Sequence, residues 1–190
     1  MSLQKINIRT IVLILMMVVA IGWRFLSFKF PSLSNFTPVG AIALFGGTYF
    51  TQKWKAYLVV LTTLFTSDVL INYLRTSHWV MLYQDSIPVY ITFALMVFIG
   101  SLIKKTTVTN VFLVSMIGVV LHWLITDLPW FIGSTYTYNL SGYIKSLIAA
   151  IPFEKNMIYG DLVFCTLLYS GFELAQKRFN VLRIQNKLAV

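Results

Sequence analysis

Acidic residues are scarce in this chain: six Asp and Glu stand among 190 residues, against fifteen Lys and Arg. Charged residues make up only 11% of it, where an average soluble domain carries about 25%. So few charges cannot cover a water-facing surface, which excludes a soluble enzyme and a disordered tail. A single cysteine cannot form an internal disulfide, which excludes a secreted disulfide scaffold. The chain also lacks a Walker loop, HExxH, CxxC and Gly-x-Ser-x-Gly. No energy source, zinc site or nucleophile elbow is therefore written into it. The nine excess positive charges lie between apolar runs rather than in one basic patch. That placement fits membrane orientation and not a nucleic-acid partner.

Apolar residues fill this space, at 58% of the chain with a mean hydropathy of +0.78. A helix that crosses the lipid core needs about 20 mostly apolar residues. Apolar runs fall at about 10–26, 39–50, 56–74, 87–103, 108–132 and 157–175. The first follows a basic leader with Lys5 and Arg9, as a signal peptide would. It ends on Trp23-Arg24-Phe25 without a small-residue cleavage pattern, so a retained helix is expected. The second run is short and contains Gly40, Gly46 and Gly47, so it needs neighbours to cross. Between the last two runs, Leu140, Ile144, Leu147, Ile148 and Ile151 recur at a helical period, with Lys145 and Ser146 opposite. This predicts an interfacial helix at about 140–151. The expected fold is all-α: one polytopic integral membrane domain over 1–190, with six transmembrane helices. Ten Lys/Arg fall on the side of the termini and five on the other, which predicts both termini in the cytoplasm.

Polar residues inside apolar runs then carry the functional signal, because a charge at mid-bilayer costs about 2.5–3.5 kcal/mol on insertion scales. In this topology they gather in the outer half. Asp68 and Asn72 lie one turn apart in the third run, and His122 and Asp127 lie late in the fifth. Asn156 and Asp161 open the sixth, and Asn35 and Thr37 introduce the second. With Trp130 and Tyr136 as aromatic contacts near the mouth, these ten residues are the candidate binding set. The competing reading is that Arg24, Asp68, Asp127 and Asp161 pair with one another to hold the bundle. His122 has no second His or Cys at ligand spacing, so no metal is expected, and the sequence names no cofactor.

Four stretches carry a resemblance: Asn35–Phe50 (NFTPVGAIALFGGTYF), LFTSDVLINY around Asp68, HWLITDLPWF from His122, and AAIPFEKNMIYGDLVF from Ala149. In them the chain resembles a bacterial family of small six-helix membrane proteins of unknown function, grouped with transport proteins. That family is similar in turn to the S-components of energy-coupling-factor (ECF) vitamin transporters. The resemblance implies an S-component-like bundle in the bacterial inner membrane, with an outward-facing small-molecule site and a role in vitamin uptake. A solitary cobalamin-type relative uses a cysteine against cobalt, but the one cysteine here, Cys165, does not match that position. The Ala-x-x-x-Ala repeat with which S-components dock on an energising module is also missing around Met16, Met17 and Ala20. The expected function is transport or capture of a small solute of the vitamin or cofactor-precursor class, without enzymatic activity. The expected partners are a small-molecule ligand and the lipid bilayer, with no energising module evident from sequence. A non-transporting membrane scaffold, or an intramembrane enzyme using Asp or His, are the alternatives.

Overall fold

A computed structural model describes residues 8–83, 86–129, 135–179 and 182. Six helices follow in order among the described residues: α1 (Ile8–Lys29), α2 (Val39–Tyr49), α3 (Lys53–Thr76), α4 (Ser86–Ser101), α5 (Val108–Thr126) and α6 (Leu140–Arg178). A 3-10 turn at Pro31–Leu33 links the first two, and the described residues contain no strand.

The helix α2 is the axis of the molecule. Ten of its eleven residues are buried, and every other helix packs around it. Its composition, VGAIALFGGTY, combines apolar bulk with small residues where a neighbour comes close. A Cβ added at Gly47 would lie 2.1 Å from the Val97 carbonyl oxygen of α4, and one at Gly100 would lie 2.3 Å from the Leu44 carbonyl oxygen of α2. The two backbones are therefore in direct contact, the arrangement that small residues permit in apolar bundles. Further along α2, Phe45 and Tyr49 pack against Tyr169 and Phe172 of α6, with ring centroids 4.7–5.6 Å apart.

The outside is as apolar as the inside. On α4, Ile87, Ile91, Leu95 and Phe98 are exposed at i, i+4, i+8 and i+11; on α5, Leu113, Ile117, Val120 and Leu124 are exposed at i, i+4, i+7 and i+11. A helix that turns such a stripe outward is solvated by lipid, not water. The helices α3, α5 and α6 are each long and apolar enough to cross a membrane, and α2 and α4 are shorter apolar helices. This is a helical membrane protein.

Two expected boundaries are corrected. The fifth helix stops at Thr126 rather than running to 132, because Leu128 precedes Pro129 and a residue before proline is pushed out of the helical region. The expected interfacial helix at 140–151 and the expected last span at 157–175 form one continuous helix of 39 residues, about 58 Å long. It runs through Pro152, which removes one backbone hydrogen bond. Side chains of α5 support it on both sides of that gap: Trp123 Nε1 donates to the Leu147 carbonyl at 3.0 Å, and His122 pairs with Glu154. The apolar face expected to rest on the interface is turned outward along this helix, with Leu140, Ile144, Ile148 and Ile151 all exposed.

Contacts at the two ends of the bundle fix how its loops are arranged. At one end, Asn156 Nδ2 donates to the Ser32 and Ser34 carbonyls, and Arg75 lies 5.4 Å over the Phe28 ring. At the other, the Glu173 carboxylate accepts from both Tyr49 and Thr106, and Lys53 Nζ donates to the Gly47 carbonyl.

Candidate functional site

A polar cavity of about 580 Å³ lies at the first of these ends, where α1 and α3 meet the 30–38 connection. Asn35, Thr37, Asp68 and Asn72, all in the candidate set, line it together with Arg24 and Arg75. Helix geometry places the α3 contribution, since Asp68, Asn72 and Arg75 at i, i+4 and i+7 share one face. Asn35 reaches the cavity from a left-handed backbone position, φ 64°, which Asn tolerates better than most residues. The turn is closed by Thr37 N–H donating to the Asn35 carbonyl at 2.9 Å.

The floor of the cavity is an ion pair. Arg24 Nη2 lies 2.6 Å from Asp68 Oδ1, and the two side chains are 15% and 5% exposed. Arg24 also donates to Ser67 Oγ and to the Leu64 carbonyl. The other Asp68 oxygen accepts from Tyr90 Oη at 3.1 Å. Each member is thus held by hydrogen bonds beyond the pair itself, which buried charges require. Beside this pair, Asn72 Nδ2 is a buried donor with no acceptor, facing a cavity whose other charged side chain is Arg75. The lining is rich in donors and holds a single carboxylate.

A second polar group lies between α5 and α6, outside this cavity. His122 Nδ1 is 3.1 Å from Glu154 Oε1, both side chains nearly buried. One α6 turn pair further on, Asp161 is fully buried and its Oδ2 accepts from Ser115 Oγ at 3.0 Å. Its other oxygen faces Gly40 of α2, where an added Cβ would lie 2.5 Å away. Gly40 is what allows a carboxylate to fit against the start of α2. Asp127 follows the last residue of α5, and Ser146 donates to its carbonyl at 2.7 Å. Burial, reinforced by the charge of Glu154, pushes its carboxyl up to about 6.

The expectation of one shared cavity is therefore corrected. Four of the ten candidates meet in the polar cavity. His122, Asp127 and Asp161 belong to the α5–α6 group: α6 continues past Pro152 and sets Asp161 on its buried side, facing α5 with His122 and with Asp127 at its end. Asn156 anchors the 30–34 connection rather than facing the cavity. Tyr136 is half-buried in the 135–139 loop and lines neither the polar cavity nor a groove between α5 and α6, and Trp130 lies outside the described residues. Among the described residues, no group of three or more His, Cys, Asp or Glu could hold a metal ion.

Three participants were absent from the candidate set. Arg24 and Arg75 complete the polar cavity, and Glu154 completes the pair with His122. Glu154 was detectable: with Ser146, Ala150, Met157 and Asp161 it follows one buried stripe at helical spacing. Reading a helix break at Pro152 hides that stripe.

A family model described as a family of unknown function (DUF6580) matches residues 4–182. No curated protein and no solved structure matches the chain.

Proposed function

The chain belongs to this DUF6580 family of unknown function, and from that premise we propose that it is a transport or capture protein for a small solute. The polar cavity is the binding site in this reading. The observation that carries it is the juxtaposition of Asn35, Thr37, Asp68 and Asn72 with two arginines inside a bundle whose exterior is apolar. A binding cavity needs a few convergent polar groups, and about 580 Å³ is within the range of small-molecule sites. The resemblance to S-components supports a vitamin or cofactor-precursor as the ligand class, without enzymatic chemistry. In the same reading all six helices cross a bacterial inner membrane, both termini are cytoplasmic and the cavity opens outward. A partner module or an ion gradient supplies the energy.

The ligand test is native mass spectrometry of the purified protein. A bound small molecule is expected, and it should be lost in Asn72→Leu, which replaces the unpartnered donor with an apolar side chain. Wild-type protein that is uniformly ligand-free, with unchanged thermal stability in the variant, would favour the scaffold reading. That reading rests on Arg24, Ser67, Asp68 and Tyr90, which together tie α1, α3 and α4.

Orientation has its own test. In a Cys165→Ala background, a cysteine placed at Tyr138 should react with an impermeant maleimide added outside intact cells. One placed at Thr107 should react only after the membrane is opened. The reverse pattern sinks the proposed orientation.

A further inference from the structure

The second large cavity of the molecule is a groove of about 530 Å³ between α5 and α6, separate from the polar cavity. It begins beside Glu173 and Lys177 and extends inward past Ser170, Thr166 and Cys165 to Ser115 and Asp161. On α6 the residues Asp161, Cys165, Tyr169, Glu173 and Lys177 recur every four positions, so one polar edge of the helix follows the groove. Its inner end holds a carboxylate with no exposed surface and one oxygen, Oδ1, without a hydrogen-bond partner.

Charge counting gives this arrangement its meaning. The ionisable groups whose charge acts on Asp161 from α5 and α6 are His122 and Glu154, which are paired with each other. Along α6 itself stand Cys165 and Tyr169, neutral in their ordinary forms, while α2 presents the Gly40 backbone and, from its first turn, the Ala41 N–H as a donor toward the carboxyl. Three carboxyls, those of Asp127, Glu154 and Asp161, therefore share one imidazole. Even a fully charged His122 neutralises only one of them, and its hydrogen bond goes to Glu154. An unpaired carboxylate in an apolar bundle is costly, and it is relieved by a cation or a proton. A metal cation needs a shell of several oxygen ligands, whereas Ser115 Oγ is the one side-chain oxygen bonded to Asp161.

We infer that Asp161 is a proton-binding site supplied through the α5–α6 groove from the end of the molecule that carries Glu173 and Lys177. The proton binds the Asp161 carboxyl, and Ser115, which donates to its Oδ2, lines the groove beside it. Next to Asp161 in sequence, Gly160 packs against Thr37, a residue of the polar cavity wall: a Cβ at Gly160 would lie 3.2 Å from the Thr37 nitrogen. Protonation at Asp161 thus sits one residue from the other cavity. The site itself does not depend on what that cavity binds.

The test uses the full chain in lipid vesicles and its own cysteine, Cys165, as reporter of the groove. Infrared spectroscopy should show a protonated carboxyl band at neutral pH that is lost at alkaline pH. The band should be absent in Asp161→Asn. It should shift to higher frequency in Ser115→Ala, which removes a hydrogen bond and assigns the band even if the first variant does not fold. A charged methanethiosulfonate should modify Cys165, and the modified protein should exchange that carboxyl proton for deuterium more slowly. Absence of the band in wild type, or a band unchanged by either substitution, overturns the site. Reaction of Cys165 only with a lipid-soluble maleimide, or with neither reagent, overturns the route. Ligand mass spectrometry at the polar cavity is a separate measurement, so failure of one proposal leaves the other standing.

Discussion

Asp68→Ala is expected to destabilise the fold by about 3–5 kcal/mol, because it leaves the Arg24 guanidinium largely buried without its carboxylate. The loss goes beyond one ion pair. Ser67 Oγ, which receives a bond from Arg24, and Tyr90 Oη, which donates to Asp68, both lose the geometry set by the pair. Arg24 cannot escape by losing a proton, since its guanidinium stays charged in proteins. Asp68→Asn retains the shape and an acceptor oxygen, so a smaller loss is expected. Replacing Arg24 and Asp68 together by Met and Leu should recover much of the stability, as apolar replacement of buried pairs often does. Thermal unfolding in one detergent across the four proteins measures this. If Asp68→Ala is within experimental error of wild type, Asp68 is not the structural partner of Arg24. The double replacement also separates roles: it should restore the bundle while abolishing ligand retention if the cavity binds solute.

The second large effect is expected at the crossing of α2 and α4. Gly47→Ala places a methyl carbon 2.1 Å from a backbone oxygen of Val97 and 2.9 Å from the Ser101 nitrogen. Gly100→Ala makes the reciprocal clash with Leu44. Backbone atoms cannot rotate away as a side chain can, so the two helices must separate along their contact. Overpacking of this kind costs typically about 1–3 kcal/mol and occasionally more. Because α2 touches every other helix, the upper part of that range or beyond is expected, with loss of monodisperse protein on gel filtration. Gly22→Ala is the control: nothing lies within 4 Å of its added Cβ, and Ala is the better helix former. Gly22→Ala should be neutral or slightly stabilising. Equal behaviour of the three variants would contradict the close crossing.

Much of the architecture was legible because lipid imposes a simple demand. Every backbone group must be satisfied within its own segment, so apolar runs of sufficient length become helices. Residues 39–50, 56–74 and 87–103 are found as α2, α3 and α4 within a few positions. The same demand made Asp68 and Asn72 visible, since a polar pair one turn apart inside an apolar run must face protein. Pro152 was misleading. Proline normally ends a helix, yet here the helix runs on through it and is bonded to α5 on both sides of the proline, a tertiary effect that spacing does not encode. The end of α5 at Thr126 was encoded locally, by Leu128 before Pro129, but the apolar content of 128–132 outweighed it. The pairing of His122 with Glu154 joins positions 32 residues apart and depends on the antiparallel register of α5 and α6. No single-helix pattern contains that register.

The enclosure of α2 has a consequence for biogenesis. A helix of eleven residues rises about 16 Å, roughly half the thickness of the hydrocarbon core, and nearly all of its surface is covered by protein. Lipid therefore never serves as its solvent, and a translocon that sorts segments by exposure to lipid has little reason to release it sideways. Its resting place exists only after α4 and α6, synthesised later, have arrived to form the walls. Until then Gly47 has no backbone to meet and Phe45 no rings to pack against. A ribosome halted before α6 leaves this segment as a short, unshielded apolar stretch, a substrate for membrane proteases. Slowing the completion of α6 is therefore expected to lower the cellular abundance of this protein.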